Sequence, residues 1–349
     1  MSVKLEDQVK SIAKDLGFED CRFARAQKAS HAEEFQDWLD DDKHGDMEWM
    51  AKNPERRKNP SLLFEGAKTV IVLALNYFPK ESSNFKKNGV GKFAKYAWGN
   101  DYHDVIDKKL IRFSKELKKL GGEQKFYVDY GPILERDFAT DSGVGWNGKS
   151  TVQIHPKLGT WFFLAELVTS LDLKPDQPMP NRCGTCTKCI DCCPTKAITA
   201  PNKMDPRLCI SYYTIEHKGS IPNKLRKSIG GRVFGCDDCL DVCPWNRFAE
   251  ASKEAKFAAR DFIGMSLIQL LQLTENDFIT LFRKSPVKRL GRERFIRNVC
   301  VAIGNTGTHS DIPHLKKALT EENLMIREHA QWAINTICLL YTSPSPRDS

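Results

Sequence analysis

The sequence predicts a multidomain α+β protein, and three observations carry that reading. Residues up to about 170 alternate strand-like aliphatic runs with helical periodicity. A cysteine-rich stretch follows, from Cys183 to Pro244. Beyond it come short apolar helices separated by Gly- or Asn-containing turns. The chain has 349 residues, room for about two or three domains. The segments expected are 1–172 as an α/β domain, 173–250 as a ferredoxin-like cysteine module, 251–338 as a helical repeat, and 339–349 as a tail.

The elements follow in order. Leu5, Val9, Ile12 and Leu16 fall at helical spacing, and Gly17 stops the helix. Residues 37–50 are acidic and run into a loop at 53–60. Residues 69–75 read as a buried strand from their β-branched content. Residues 80–91 read as a polar loop, and 93–103 are aromatic-rich without a period. Ile106, Leu110, Phe113, Leu117 and Leu120 mark a helix closed by Gly121 and Gly122. Residues 125–130 form a strand with Asp129 at its carboxyl end, and 133–140 a helix. A short strand at 151–154, a turn at 155–159 and a strand at 160–167 read as a pair.

Pro175, Pro178 and Pro180 make 171–181 a linker and a domain boundary. After the cysteines, helices are marked by Leu267, Leu270 and Leu271, then by Phe295, Ile296, Val299 and Ile303, with Gly304 and Asn305 as the stop. Ile312, Leu315 and Leu319 mark a further helix, and Ile326, Ala330 and Ala333 the last. Such a series suggests a HEAT-type repeat. The Ser- and Pro-containing tail, 339–349, reads as disorder or a sequence scar.

The cysteines carry the chemistry. Cys183, Cys186, Cys189 and Cys193-Pro194 are spaced C-x2-C-x2-C-x3-C-P, the pattern of ferredoxins that hold two clusters. Cys209 follows alone, then Cys236, Cys239 and Cys243-Pro244. In that pattern the last Cys of a run serves the other cluster. Cys183, Cys186, Cys189 and Cys243 would hold one [4Fe-4S] cluster, and Cys193, Cys209, Cys236 and Cys239 the second. A zinc ribbon also uses C-x2-C pairs, but nothing in it requires C-x3-C-P twice. Disulfides would suit a short secreted chain. Cys192 is one thiol too many and reads as a small residue at a tight spot.

Charge and hydropathy bound the partners. Lys and Arg total 53 against 45 Asp and Glu, a formal +8 that permits an acidic partner without demanding one. Residues 1–10 show no apolar export core and no twin Arg, and the longest aliphatic run, 70–75, is too short to span a membrane. A soluble, cytoplasmic setting without membrane contact is the expectation.

Residues 143–150, GVGWNGKS, match two phosphate-loop patterns at once. Both patterns need a strand before the loop and a helix after it, so that helix N-terminal amides meet the phosphate. Here the order is helix, loop, strand. A turn whose backbone must pass close to something bulky is the better reading.

Several stretches together resemble the epoxyqueuosine reductases, cobalamin-dependent iron–sulfur enzymes of tRNA queuosine synthesis. They are 96–103 (YAWGNDYH), 128–136 (VDYGPILER), 143–149, both cysteine runs, 209–216 (CISYYTIE) and 243–246 (CPWN). The resemblance spans about residues 1–335. It implies an N-terminal cobalamin-binding α/β domain, a two-cluster module and a HEAT-like end. It implies reduction of the epoxide of a modified tRNA base to an alkene, with loss of water, fed by a low-potential electron donor. Asp129 becomes the proton donor by similarity. Arg57, Tyr96, Asp129, Lys149, Ser150, His155 and Ser211 become candidate cobalamin contacts. Asp101 and His103 resemble the start of a D-x-H-x-x-G cobalamin motif, but Ile106 stands where Gly should be, so His103 is not assigned to cobalt. Basic residues near tRNA would be Lys218, Lys224, Arg226 and Lys227, and Lys288, Arg289, Arg292, Arg294 and Arg297. The alternatives are a reductive dehalogenase-like enzyme, for which the export signal is missing, and an electron carrier, which leaves residues 1–170 without a role. A monomer is expected.

Overall fold

A computed structural model describes residues 4–79 and 89–342. It divides into two compact units, each assembled from separate stretches of chain. The first comprises Met1–Pro79, Asn100–Pro206 and Asp238–Phe257, and the second Lys80–Gly99, Arg207–Asp237 and Ala258–Ser349.

The first unit is built on a four-stranded sheet in the spatial order Asp20–Arg25, Thr69–Asn76, Phe162–Thr169, Gln124–Tyr127. Every pairing in it is antiparallel. Thr69–Asn76 is buried at all eight positions, as its unbroken β-branched run requires of a strand covered on both faces. One face, formed by Val70, Val72, Ala74, Phe162 and Val168, packs on Phe138 and Ala139 of the helix Glu135–Asp141. Two further helices of this unit, Leu5–Asp15 and Tyr102–Lys119, match the predicted apolar spacing, with Val9, Ile106, Leu110, Phe113 and Leu117 buried.

Two expectations fail here. The strand at 162–169 does not pair with 153–154; it lies between Thr69–Asn76 and Gln124–Tyr127. Gln153–Ile154 pairs instead with Trp146–Asn147, and the 155–159 turn keeps a single bridge. An eight-residue apolar strand gains more from two long neighbours than from a two-residue hairpin arm. The Pro-rich 171–181 segment does not separate the compact units. Leu173 is fully buried, and the Asp176 carboxylate accepts from the Phe23 amide at 3.0 Å and from Lys10 at 2.7 Å. Proline punctuates the chain here, but side chains on either side of it are anchored.

The second unit has one aromatic and aliphatic core. Phe93, Phe262, Phe278, Phe282 and Phe295 interlock with ring centroids 4.9–6.3 Å apart. Around it run the helices Leu267–Leu271, Glu275–Leu281, Arg292–Thr306, Ile312–Ala318 and Leu324–Thr342. Ser266 and Thr274 each form a capping box at the start of one of these helices. Gly304 does not end its helix, which continues to Thr306. A Cβ there would sit 2.6 Å from the Trp332 ring and 2.9 Å from the Ala333 Cα, so the glycine lets two helices touch. The last helix reaches Thr342, past the expected start of the tail; residues 343–349 lie outside the described ones, as do 80–88 of the expected polar loop. Among the described residues no helix is long and apolar enough to cross a membrane.

Candidate active site and cluster loops

Asp129 lies two residues past the strand Gln124–Tyr127, which stops short of the expected 125–130, in a tight turn with the Tyr130 amide bonded back to Val128 O at 2.6 Å. Its φ is +60°, a left-handed conformation that Asp tolerates better than most residues but still at a cost. The surroundings hold it there. The Tyr102 hydroxyl donates to its Oδ2 at 2.5 Å, and His103 Nε2 lies 3.9 Å from the same oxygen. His103 Nδ1 contacts Asp101 Oδ1 at 2.8 Å, and Asp101 also caps the helix that carries both rings. Tyr102 stacks on Phe163 at 4.3 Å. The Asp129 carboxyl remains more than half exposed, so a ligand meeting this turn meets an acid with an ordered hydroxyl beside it.

Two further acids lie behind it. The Asp129 amide donates to Glu135 Oε1 at 2.7 Å. Glu166, on the central strand between Val72 and Tyr127, is fully buried, and no N–H or hydroxyl donor reaches either of its oxygens. Burial raises the Glu166 carboxyl well above the usual range, and neighbouring Glu135 raises it further. Glu135 is pushed up to about 7, first by burial and then by Asp129. Neither glutamate stands out in the sequence; an acid at an inward position of an apolar strand is the signal that could have found Glu166.

Besides Asp129 itself, Arg57 is the predicted cofactor residue that this unit brings to the turn. It is buried, donates from Nη1 to Gly131 O at 2.9 Å, and keeps a buried Nε without a partner. Burial lowers its pKa, against the pull of Glu135 and Asp129. Within the first unit His155, Ser150 and Lys149 go elsewhere. His155 is buried with Nδ1 accepting from the Lys157 and Leu158 amides, both at 3.1 Å, while Nε2 faces Asp20 at 3.4 Å. It organises its own turn. Ser150 is buried in the glycine loop. Tyr96 and Ser211 belong to the second unit, Tyr96 packed on its core near Phe234 and Ser211 leading into the π-helical turn Tyr212–Glu216.

Lys149 explains the refused phosphate loop. Its Nζ donates to the carbonyls of Gly184, at 2.6 Å, and Cys186, at 3.0 Å, inside the first cysteine run. Asn202 bonds back to the carbonyls of Gly148 and Lys149, and Asn181 joins Asn147 O to the Cys183 amide. The glycines make room: a Cβ on Gly143 or Gly145 would lie 2.1 Å from a backbone carbonyl oxygen, of Gln177 or Ile154. The loop is a shelf for cysteine-bearing backbone.

The cysteines expected to hold the first cluster lie beside that shelf. Burial pushes the Cys243 thiol up, and nearby Cys183, Cys189 and Cys186 push it further, so these four thiols crowd one another. Four mutually repelling thiolates are a donor set that a soft iron–sulfur cluster would neutralise. Asn246 fixes the second run, donating to Leu240 O at 2.6 Å and accepting from Thr160. Cys192 contacts the carbonyls of Cys189 and Asp238, both at 3.4 Å, in keeping with a packing role. Cys193 and Cys239 belong to the first unit, Cys209 and Cys236 to the second. Among the described residues no three Cys, His, Asp or Glu are placed to hold a single metal ion.

Known proteins decide the family. Residues 182–246 match the 4Fe-4S double cluster binding domain, and residues 57–130 match the family described as Epoxyqueuosine reductase QueG, DUF1730. An epoxyqueuosine reductase of Aliivibrio fischeri is 39% identical over 351 residues, covering 97% of this chain and 93% of the relative. One from Xanthomonas campestris is 36% identical, covering 94% of each. The chain belongs to the epoxyqueuosine reductase family. A solved epoxyqueuosine reductase with an epoxyqueuosine-modified tRNA stem loop superposes with a TM-score of 0.87 at 28% identity, covering 98% of this chain and 95% of that one. Another, from Bacillus subtilis, with its catalytic aspartate loop swung out of the active site, gives 0.85 at 27% identity, covering 98% and 95%.

In this family member the predicted basic set splits. Lys218, Lys224, Lys227, Lys288 and Arg289 are exposed. Arg226 is buried and paired with Glu328. Arg292 is bound to Glu321, at 2.6 Å, and to Leu273 O. Arg294 caps carbonyls of Leu290, Ile215 and Glu216. Arg297 is fully buried and donates to the carbonyls of Tyr213, His217 and Gly219 and to Asn298 Oδ1. A run of arginines in sequence reads as a charged face; three of these are internal clamps because the guanidinium fork suits converging carbonyls.

Proposed function

We propose that this chain reduces the epoxide of epoxyqueuosine in tRNA to the alkene of queuosine. Two electrons and two protons enter, and the epoxide oxygen leaves as water. The observation that carries this reading is near full-length kinship with the epoxyqueuosine reductases, one of which is solved with an epoxyqueuosine-modified tRNA stem loop. When bound, the two clusters and cobalamin supply the electrons from a low-potential donor. Arg57 is the side chain best suited to cobalamin, since its orphaned Nε would satisfy a carboxamide oxygen.

The chain's own part is positioning and proton delivery. Asp129 donates the proton to the departing oxygen, and Tyr102 and His103 hold its carboxyl in place. The helical segment from residue 267 onward acts as the HEAT-like end, and exposed Lys218, Lys224 and Arg289 meet the tRNA backbone. The reading is of a monomeric cytoplasmic enzyme. Mass spectrometry of nucleosides from tRNA treated with reconstituted protein, cobalamin and a low-potential reductant tests it. The product should be lighter by one oxygen, and Asp129→Asn should lose about two orders of magnitude or more in kcat. Absence of product, with cobalt and iron confirmed present, would point to a different substrate.

A further inference from the structure

The turn that carries Asp129 is anchored from below by a side chain to which nothing so far assigns a role. Glu135 sits at the first position of its helix and accepts the Asp129 amide through Oε1 at 2.7 Å. It is the only bond among those described above that holds the backbone, rather than the carboxyl, of the left-handed residue. Glu166 adjoins Glu135 from the sheet side and is fully buried, without an N–H or hydroxyl donor on either oxygen. An ionised carboxylate in that position would be unsolvated and next to a second one. The arrangement is self-consistent with one proton between them: Glu166 neutral and donating its O–H to Glu135, Glu135 ionised and accepting the Asp129 N–H as well.

We propose that Glu135 is a positioning residue of the catalytic turn: its carboxylate, backed by the neutral carboxyl of Glu166, anchors the Asp129 amide and so presents the Asp129 side chain to Tyr102 and the substrate. The proposal rests on Asp129 being the proton donor. It concerns how that residue is held.

The charges facing Glu135 make the anchor sensitive to pH. Asp129 and Glu166 oppose its ionisation, while Arg136 on its own helix favours it. Arg57 lies against the same turn, and Tyr127 faces the pair from the edge strand, with Arg56 close to its ring hydroxyl. With Glu135 titrating near 7, the anchor is a charge-assisted bond above that pH and a weaker neutral one below it.

Hydrogen exchange read by mass spectrometry on the cluster-loaded enzyme tests this directly, using the peptide that spans residues 127–134. Exchange is expressed relative to the same peptide unfolded, which removes the intrinsic pH dependence. Protection in the wild type should rise as pH passes upward through about 7. Glu135→Ala should lose it, and kcat should fall about ten- to a hundredfold with KM nearly unchanged, the loss of one charge-assisted bond that aligns a reacting group. Glu135→Gln keeps an acceptor oxygen and cannot ionise, so it should retain part of the protection and show no pH step. Unchanged protection in Glu135→Ala, or a pH step that survives in Glu135→Gln, overturns the proposal. Full activity of Asp129→Asn would instead overturn the catalytic reading of Asp129, an outcome the exchange measurement does not share.

Discussion

Replacing Arg297 by Met should unfasten the segment that carries Cys209 and Cys236, two expected cluster ligands. Arg297 and Asn298 project from the helix Arg292–Thr306 into the interior of the second unit. The guanidinium donates to Tyr213 O at 2.6 Å, His217 O at 2.9 Å and Gly219 O at 2.5 Å, and Asn298 Nδ2 to Thr214 O and Val233 O. Thr214 in turn holds the Gly235 amide and Ile210 O. Cys209 and Cys236 flank this network, and the Tyr213 amide bonds directly to Cys209 O.

Met fills a similar volume but strands three carbonyls. Each buried unsatisfied group costs about 1–3 kcal/mol. Gly219 is exposed and water can reach it, so the total is set at about 3–5 kcal/mol, a large share of ordinary domain stability. At about 2–4 °C per kcal/mol, the thermal midpoint should fall by roughly 6–20 °C. Iron and acid-labile sulfide should drop by half as the second cluster is lost. Arg297→Lys should rescue little, because a point charge cannot span three carbonyls. A Lys variant with full iron content and an unshifted midpoint would refute the clamp and return Arg297 to the role of a charge alone.

The other predictions concern protons, the cysteine shelf and the surface. Burial lowers His329 to about 4, with Nε2 accepting the Ile221 amide and Nδ1 donating to Met325 O. A depressed base binds fewer protons folded than unfolded, so stability should fall as pH drops from 6.5 toward 4, by up to about 3 kcal/mol, and His329→Gln should flatten that slope in thermal melts. Glu166 has the opposite sign. It keeps its proton when folded and loses it when unfolded above about 4.5, so Glu166→Gln should raise the melting midpoint at pH 8 and leave it unchanged at pH 4. Lys149→Met should lower the reduction potential of the first cluster, seen by redox titration, since a cation bonded to the Gly184 and Cys186 carbonyls is removed. Arg289→Glu should weaken tRNA binding and flatten its salt dependence by about one charge, whereas Arg292→Glu should chiefly lower stability through the lost pair with Glu321.

The features legible in the sequence were those with a period or a fixed spacing. The helices at Leu5–Asp15 and Tyr102–Lys119, the buried strand at Thr69–Asn76 and the spacing of the cysteine runs each repeat a local rule that a few neighbouring residues can satisfy. Asp129 was legible only through family resemblance, because a single acid after a strand has no signature of its own. What escaped depends on partners far along the chain. Glu166 acquires its meaning from Glu135, Lys149 from Gly184, and Arg297 from carbonyls about eighty residues earlier. The inverted order of elements around Gly143–Ser150 is the order the structure has, with a helix before the loop and a strand after it, but it could not say what the glycines were making room for.

The interleaving of the two compact units governs what a growing or shortened chain can do. The first unit takes in Asp238–Phe257, and the second takes in Lys80–Gly99. Emerging from a ribosome, the sheet can form early, yet its unit stays unfinished until residue 257 has been made, by which time both cysteine runs have been synthesised. Cutting at the prolines therefore releases no independent half, and cluster insertion becomes an event of nearly complete chains rather than of nascent fragments.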